Sequence, residues 1–118
     1  MFVSTHKDKQ KERTDIVMEL SKGNMQAVSN YLADDIQWKM VGYTTLSGKE
    51  EVLKFAQSAV MDATFSNTSF VEAGDQFTVE GTCRPVANPE KISAEYCDIY
   101  RFKGDKVVEL VSYYIELE

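Results

Sequence analysis

The sequence holds a single histidine, His6, and it lies in the charged stretch that opens the chain. Histidine-based triads and nearly all zinc sites need well-placed imidazoles, so one chain of this composition excludes them. Cysteine is almost as scarce. Cys83 and Cys97 have neither metal-ligand nor redox spacing, and both fall in strand-like runs where they read as small buried hydrophobes. No metal and no cofactor is therefore expected. No apolar run approaches the ~20 residues of a membrane-spanning helix. The opening MFVSTHKDKQKERTD lacks the apolar stretch of about 7–15 residues that marks a secretory signal. Basic residues are outnumbered, 13 Lys and Arg against 19 Asp and Glu, for a net charge of −6. That balance argues against nucleic acid and against an anionic membrane as partners. The expected location is cytoplasmic.

What is present suits one soluble domain spanning residues 1–118: 43% hydrophobic and 27% charged residues, in a chain long enough to bury a core. Met1 to Arg13 is polar and reads as a partly frayed leader, with KDKQKER as a solvated helix start. A first helix should then end at Gly23, with Ile16, Val17 and Leu20 on one face. Asn24 can cap a second helix in which Met25, Val28, Tyr31 and Leu32 recur at helical spacing. Asp34 and Asp35 close that helix as structural or solvated carboxylates and open a strand, DDIQWKMVG, with Ile36, Trp38 and Met40 on its apolar face.

SGKE, Ser47 to Glu50, has the capping-box form. It predicts a third helix with an apolar stripe of Val52, Leu53, Phe55, Ala56, Ala59 and Val60. Four strand-like runs follow, near Thr64 to Ala73, Gln76 to Arg84, Ile92 to Phe102 and Lys106 to Leu117, separated by the turn-rich pieces AGD, PVANPEK and KGD. Helices first, then a meander, reads as α+β: a cone-shaped, strongly curled, mostly antiparallel sheet packed against three helices of the N-terminal half. Strands of about eleven residues at ~3.3 Å each must twist and curl in a small domain.

Three segments, GNMQAVSNYLADDIQWKMVG, LSGKEEVLKFA and YCDIYRFKGDKVVELVSYY, follow one another at set intervals. In that order and spacing the chain resembles the SnoaL-like branch of the nuclear transport factor 2-like superfamily, which includes ketosteroid isomerases, polyketide cyclases and limonene epoxide hydrolases. The resemblance covers about Thr14 to Glu118 and implies a cone with a pocket between sheet and helices, commonly paired into a homodimer through the outer sheet face. It also implies that Asp98 stands where ketosteroid isomerases carry the acid of their oxyanion hole, a carboxylic acid that an apolar site keeps protonated so that it can donate a hydrogen bond. The position of their catalytic base is Met40 here, and a thioether cannot abstract a proton. The position of their oxyanion tyrosine is Ile16 or a neighbour. The Asp–Arg–Asp set of the hydrolases would need a third acid where this chain has Ile115 beside Arg84 and Asp98. Neither of those reactions is expected by its usual route.

Asp98 is the residue that stands out on chemistry alone. It interrupts AEYCDIYRF, a run otherwise suited to a half-buried strand from which Asp is normally depleted. Counting by twos puts Ala94, Tyr96, Asp98, Tyr100 and Phe102 on one face, the more apolar one, toward the helices. If KGD is a three-residue loop, Tyr100 pairs with Val108 and Asp98 with Leu110, and Ser112 and Tyr114 join that face. A two-residue loop would put Glu109, Val111 and Tyr113 there instead. The first arrangement predicts a pocket edged by Trp38, Met40, Tyr96, Tyr100, Leu110 and Tyr114 with Asp98 inside. Desolvation would favour the neutral acid, able to donate a hydrogen bond to a carbonyl oxygen. Three roles stay open: an acid satisfied by Ser112, a tyrosine or water; a contact to a small apolar or aromatic ligand; or isomerase- or cyclase-like acid catalysis. Whether the chain is an enzyme is undecided by these residues. The alternative is an association domain whose cavity is filled, with Cys97, Ile99, Val111 and Tyr113 at the centre of a homodimer contact.

Overall fold

In the computed structural model, residues 6–58 and 62–117 are described, with side chains from residue 8 onward. Helix α1 (His6–Ser21) is followed by a 3-10 helix (Met25–Tyr31), strands β1 (Leu32–Met40) and β2 (Thr44–Ser47), helix α2 (Lys49–Ser58), and strands β3 (Ala63–Ala73), β4 (Gln76–Pro85), β5 (Ala94–Lys103) and β6 (Lys106–Glu116). The strands form one curled, unclosed sheet in the order β2-β1-β6-β5-β4-β3. Every pairing is antiparallel except β1 with β6. The α+β architecture and the four meander strands are as expected.

Ile16, Val17 and Leu20 turn inward from α1 and meet Phe77, Val79, Tyr100, Phe102, Val107 and Leu110 from the sheet. α1 stops where Gly23 takes φ +87°, which lets the Asn24 N–H reach the Glu19 carbonyl and the Gly23 N–H reach the Leu20 carbonyl, the paired bonds of a Schellman stop. The second helix differs from expectation. Asn24 makes no capping bond; its amide donates to Glu19 instead, and the segment is a 3-10 turn that buries Met25 and Val28. Tyr31 is exposed rather than packed, and Leu32 already belongs to β1, as do Asp34 and Asp35. Strand β2 has no counterpart in the sequence pattern, four residues being too few to show an alternation. It takes up Ser47, so the box at the start of α2 slides by one residue: Glu51, not Glu50, accepts from the Ser47 N–H, at 3.4 Å. Val52 is fully buried, with Leu53, Phe55 and Ala56 half-buried beside it; Ala59 and Val60 lie outside the described residues.

The largest correction concerns KDKQKER. Gln10 and Arg13 are buried rather than solvated. The Arg13 guanidinium donates to the Gly104 carbonyl through two nitrogens, at 3.2 and 2.7 Å, to Gln10 at 2.9 Å and to the Asp75 carboxylate at 2.9 Å. Its Cζ lies 5.1 Å from the centre of the Phe102 ring. Gln10 in turn donates to the Gly74 carbonyl and to Glu72. A helix start that looks solvated by composition is thus fastened to the β3–β4 and β5–β6 turns, because a planar five-donor cation can satisfy several inward-pointing acceptors at once.

The β5–β6 hairpin settles the facing question by a route that neither loop length predicts. Lys103 pairs with Lys106 and Phe102 with Val107, a two-residue turn; the register then shifts, and Arg101 pairs with Glu109, Tyr100 with Leu110 and Asp98 with Ser112. Val108 is the extra residue of a β-bulge. The expected partners of Tyr100 and Asp98 are therefore each displaced by two residues, yet the inward set is unchanged, because the bulge restores what the shorter turn would have swapped. Arg101 and Glu109 form an ion pair on the outside.

The Arg13 fastening yields a stability prediction. Arg13→Ala should lower unfolding free energy in urea by about 3 kcal/mol, since it removes several hydrogen bonds from a buried cation and leaves the buried Gln10 amide oxygen without its donor. Asp75→Asn should cost less than about 1 kcal/mol, because that carboxylate is 74% exposed.

Candidate functional site

Cross-strand pairing arranges the inner face of the sheet in rows. One row runs Leu46, Trp38, Leu110, Tyr100 and Phe77; the next runs Thr44, Met40, Ser112, Asp98, Val79 and Phe70; the one beyond has Tyr114, Tyr96, Gly81 and Asn67. On β5 and β6 burial falls from row to row, while Phe77, Val79 and Gly81 on β4 stay buried. In the first row Tyr100 is 1% exposed and Leu110 is also core; in the second Met40, Asp98 and Ser112 are half-buried; in the third Tyr114 is 44% exposed. The cone is therefore solid around Tyr100 and Leu110 and most open on β5 and β6 at Tyr96 and Tyr114, with Cys83 and Ala94 buried in the row beyond. Asp98 stands where the packed core gives way.

Its surroundings are specific. Trp38 on β1 lies edge-on to Phe55 of α2, with centroids 5.6 Å apart, and its indole N–H donates to the Ser112 hydroxyl at 2.8 Å. Ser112 stands directly opposite Asp98 in the β5–β6 ladder. With its oxygen already accepting from the indole, the Ser112 hydroxyl keeps its one proton free for an acceptor on that face. The ladder puts Asp98 on the same face of the sheet as Trp38, Met40 and Ser112. Burial pushes its carboxyl up from 3.8 to about 6, against the opposing pull of the Ser112 hydrogen bond. The tyrosines around it titrate far above that range. Burial, and then the Asp98 charge, push Tyr96 to about 12 and Tyr100 well above the usual tyrosine range, while burial and Cys83 push Tyr114 to about 12.

The structure thus brings Asp98, Trp38, Met40 and Tyr96 together with Ser112 at the open end, puts Tyr114 at the rim, and sets Tyr100 and Leu110 into the core below. Two contributors escape sequence reasoning. Gly81, opposite Tyr96, has no room for a side chain: a Cβ there would overlap the Tyr96 hydroxyl and the Ser66 carbonyl oxygen. Asn67 accepts from the Tyr96 hydroxyl at 2.7 Å and donates to Ser21 at the end of α1, at 3.0 Å. A glycine inside a strand was the available signal, since it marks close approach of another group. Neither of the two best-formed clefts among the described residues is lined by Asp98, although Gly81 and Tyr96 border the first. One, of about 240 Å³, is on the outer face beside Cys97, Tyr113 and Ile115; the other, of about 230 Å³, lies between α1 and the 3-10 helix. Both cysteines are free, Cys83 buried and Cys97 half-buried. Among the described residues no group of His, Cys, Asp and Glu is arranged to hold a metal ion, and no helix is long and apolar enough to cross a membrane.

A curled, open sheet wrapped on helices, with one acid at the limit of its core, defines a class of α+β cone proteins. The chain belongs to the SnoaL-like domain family, whose profile matches residues 15–110. No curated protein matches it. A nuclear transport factor 2-like protein of unknown function from Cytophaga hutchinsonii superposes with a TM-score of 0.78 at 28% identity, over 89% of this chain and 97% of that one. A candidate ketosteroid isomerase from Kribbella flavida has a TM-score of 0.73 at 12% identity, over 93% and 79%. A candidate SnoaL-like polyketide cyclase from Jannaschia has a TM-score of 0.73 at 10% identity, over 88% and 85%. The last two likenesses concern the fold alone.

The raised carboxyl makes a pH prediction. The folded state binds the Asp98 proton more tightly than the unfolded chain does, so ionisation costs stability. The cost is absent below about pH 4, accumulates toward pH 6 and is complete above it. Replacing Asp98 by Asn removes this component. The stability of Asp98→Asn relative to the parent, from urea unfolding, should rise by about 2 kcal/mol between about pH 4 and pH 7.5. A difference independent of pH would mean that Asp98 titrates as an ordinary surface acid.

Proposed function

We propose that the chain binds a small apolar or aromatic molecule at the open end of the cone, with Asp98 as the polar group that orients it. The observation that carries this is the placing of one acid, titrating near 6, on a floor of packed core and below half-buried aromatic side chains. Ligand sites commonly combine apolar walls with a few fixed polar groups. Protonated, Asp98 donates a hydrogen bond to a carbonyl oxygen and can stabilise a developing enolate, the step that isomerase- and cyclase-type chemistry needs. A complete proton-transfer reaction also needs a base, and the position beside Ser112 is Met40, a thioether. The reading therefore favours recognition of a carbonyl compound, with catalysis limited to what one acid can supply.

The test uses two naphthalene derivatives and the Trp38 emission, the only indole in the chain. 2-Acetylnaphthalene should bind about five-fold more tightly at about pH 5 than at pH 7.5, the worth of one neutral hydrogen bond of about 1 kcal/mol. Naphthalene should show no such change, and Asp98→Asn should abolish the difference. A pH dependence that survives in Asp98→Asn, or no binding of either compound, would sink the proposal.

A second reading concerns the other side of the sheet. Tyr113 and Ile115 project from it, 42% and 63% exposed, beside Cys97 and the 240 Å³ cleft. Burying them against a second copy would make a homodimer, in keeping with the apolar centres of such contacts. Sedimentation equilibrium at micromolar concentration should then give twice the chain mass for the parent, and the single mass for Ile115→Lys. A parent that sediments as a single chain would remove this reading.

A further inference from the structure

Tyr96 is the side chain next to Asp98 on the same face of β5, two residues toward the open end. Its hydroxyl lies over Gly81, on the neighbouring strand, in the space a side chain there would occupy. Two contacts hold it: the hydroxyl donates to Asn67 at 2.7 Å, and the ring meets Phe65 edge-on with centroids 5.5 Å apart; Asn67 is itself tied to Ser21 of α1. A register shift in β3 between Asn67 and Ser69 brings Asn67 opposite Gly81 and within reach. We propose that Gly81 and Asn67 park the Tyr96 ring against the sheet, and that this parking keeps the approach to Asp98 open and sets the size of molecule admitted to it.

The parts fit that role. A glycine costs strand stability and offers no packing, so its presence opposite a tyrosine needs a compensating reason. The Tyr96 hydroxyl is held neutral and available as a donor, since burial, then the Asp98 charge and Cys83, push its ionisation up to about 12. Asn67 sits at the end of a chain running from α1 through Ser21, so the helix that closes the narrow end of the cone also helps latch the ring at the wide end. The groups facing Asp98 are Tyr96 and Tyr100 on its own strand, Ser112 and Tyr114 on β6, Trp38 and Met40 on β1, and Val79 and Gly81 on β4. Among these the Tyr96 ring is the one whose position the neighbouring glycine determines. Gly81 and Asn67 are positioning residues; neither needs to touch a ligand.

The inference rests on the binding reading above, and its test has one readout with ligand and one without. Gly81→Ala should displace the ring into the mouth. 2-Acetylnaphthalene binding at pH 5 should weaken at least ten-fold, and the Asp98 carboxyl, followed by carbon NMR, should titrate about one unit higher as water is shut out. Gly81→Ala/Tyr96→Ala should restore both toward the parent, a rescue that a purely structural role for Gly81 would not give. Because Gly81→Ala also crowds the Ser66 carbonyl and can fail to fold, Tyr96→Phe and Asn67→Ala supply the second arm. Each releases the latch without adding volume, and each should weaken binding about three-fold and broaden the NMR signals of the aromatic ring at that strand position. Unchanged binding and unchanged Asp98 titration in both latch variants, or a Gly81→Ala effect that truncating Tyr96 leaves in place, would overturn the inference. If the parent fails to bind the probe, the binding reading falls while the Asp98 titration still decides whether the ring governs access.

Discussion

One extra residue in β6 governs which side of the sheet does what. Between Phe102–Val107 and Arg101–Glu109 the ladder skips Val108, and every side chain beyond that point in β6 is turned over relative to an unbroken two-residue hairpin. Without the bulge, Glu109, Val111 and Tyr113 would face the helices, and Leu110, Ser112 and Tyr114 would face outward. A carboxylate would then enter the core beside Tyr100. Ser112 would be lost to Asp98 and to Trp38. The bond from the indole to the Ser112 hydroxyl, and the placing of that hydroxyl opposite the acid, exist because Val108 is unpaired, as bulges near sites commonly re-aim the strand that carries them.

The two ends of the cone are held by different physics. At the narrow end an apolar core of Tyr100, Phe102, Phe77 and Leu110 is sealed by a buried cation, Arg13, whose donors bind the Gly104 turn carbonyl. At the wide end β5 and β6 carry Asp98, Ser112 and Tyr96, polar groups less completely covered, and the Tyr96 hydroxyl donates to Asn67 of β3. Burial is concentrated where a helix start meets two hairpin turns, and on β5 and β6 it thins from Tyr100 and Leu110 to Tyr96 and Tyr114. That gradient lets an acid sit deep enough to feel desolvation without being fully enclosed.

Electrostatically the site is a one-acid site. Asp98 titrates near 6, and the tyrosines beside it on β5 are driven upward in part by its own charge. The arrangement favours hydrogen-bond donation to an oxygen over relay of a proton between two groups. The fold is shared with proteins assigned to isomerase and cyclase chemistry, and a shared fold hosts many chemistries. The distinction lies in individual positions: an acid at 98, a thioether at 40, a glycine at 81.

The amino-acid sequence alone determined the fold class and, apart from the short β2 and the 3-10 character of the second helix, the order of elements, because alternation, capping residues and turn-rich separators are local signals. The four meander strands, the stop of the first helix at Gly23 and the choice of Asp98 as the unusual acid were all legible in it. Tertiary structure alone decided three things. The bulge at Val108 reset the hairpin register, which loop length could not reveal. Arg13 and Gln10 became core residues, because their acceptors lie in turns some sixty to ninety positions away along the chain. Gly81 acquired a purpose only when β3 and β5 came to flank it with Asn67 and Tyr96. Local pattern fixes which residues are apolar or extended; which distant polar group each one meets depends on packing, and packing is a property of the whole sheet.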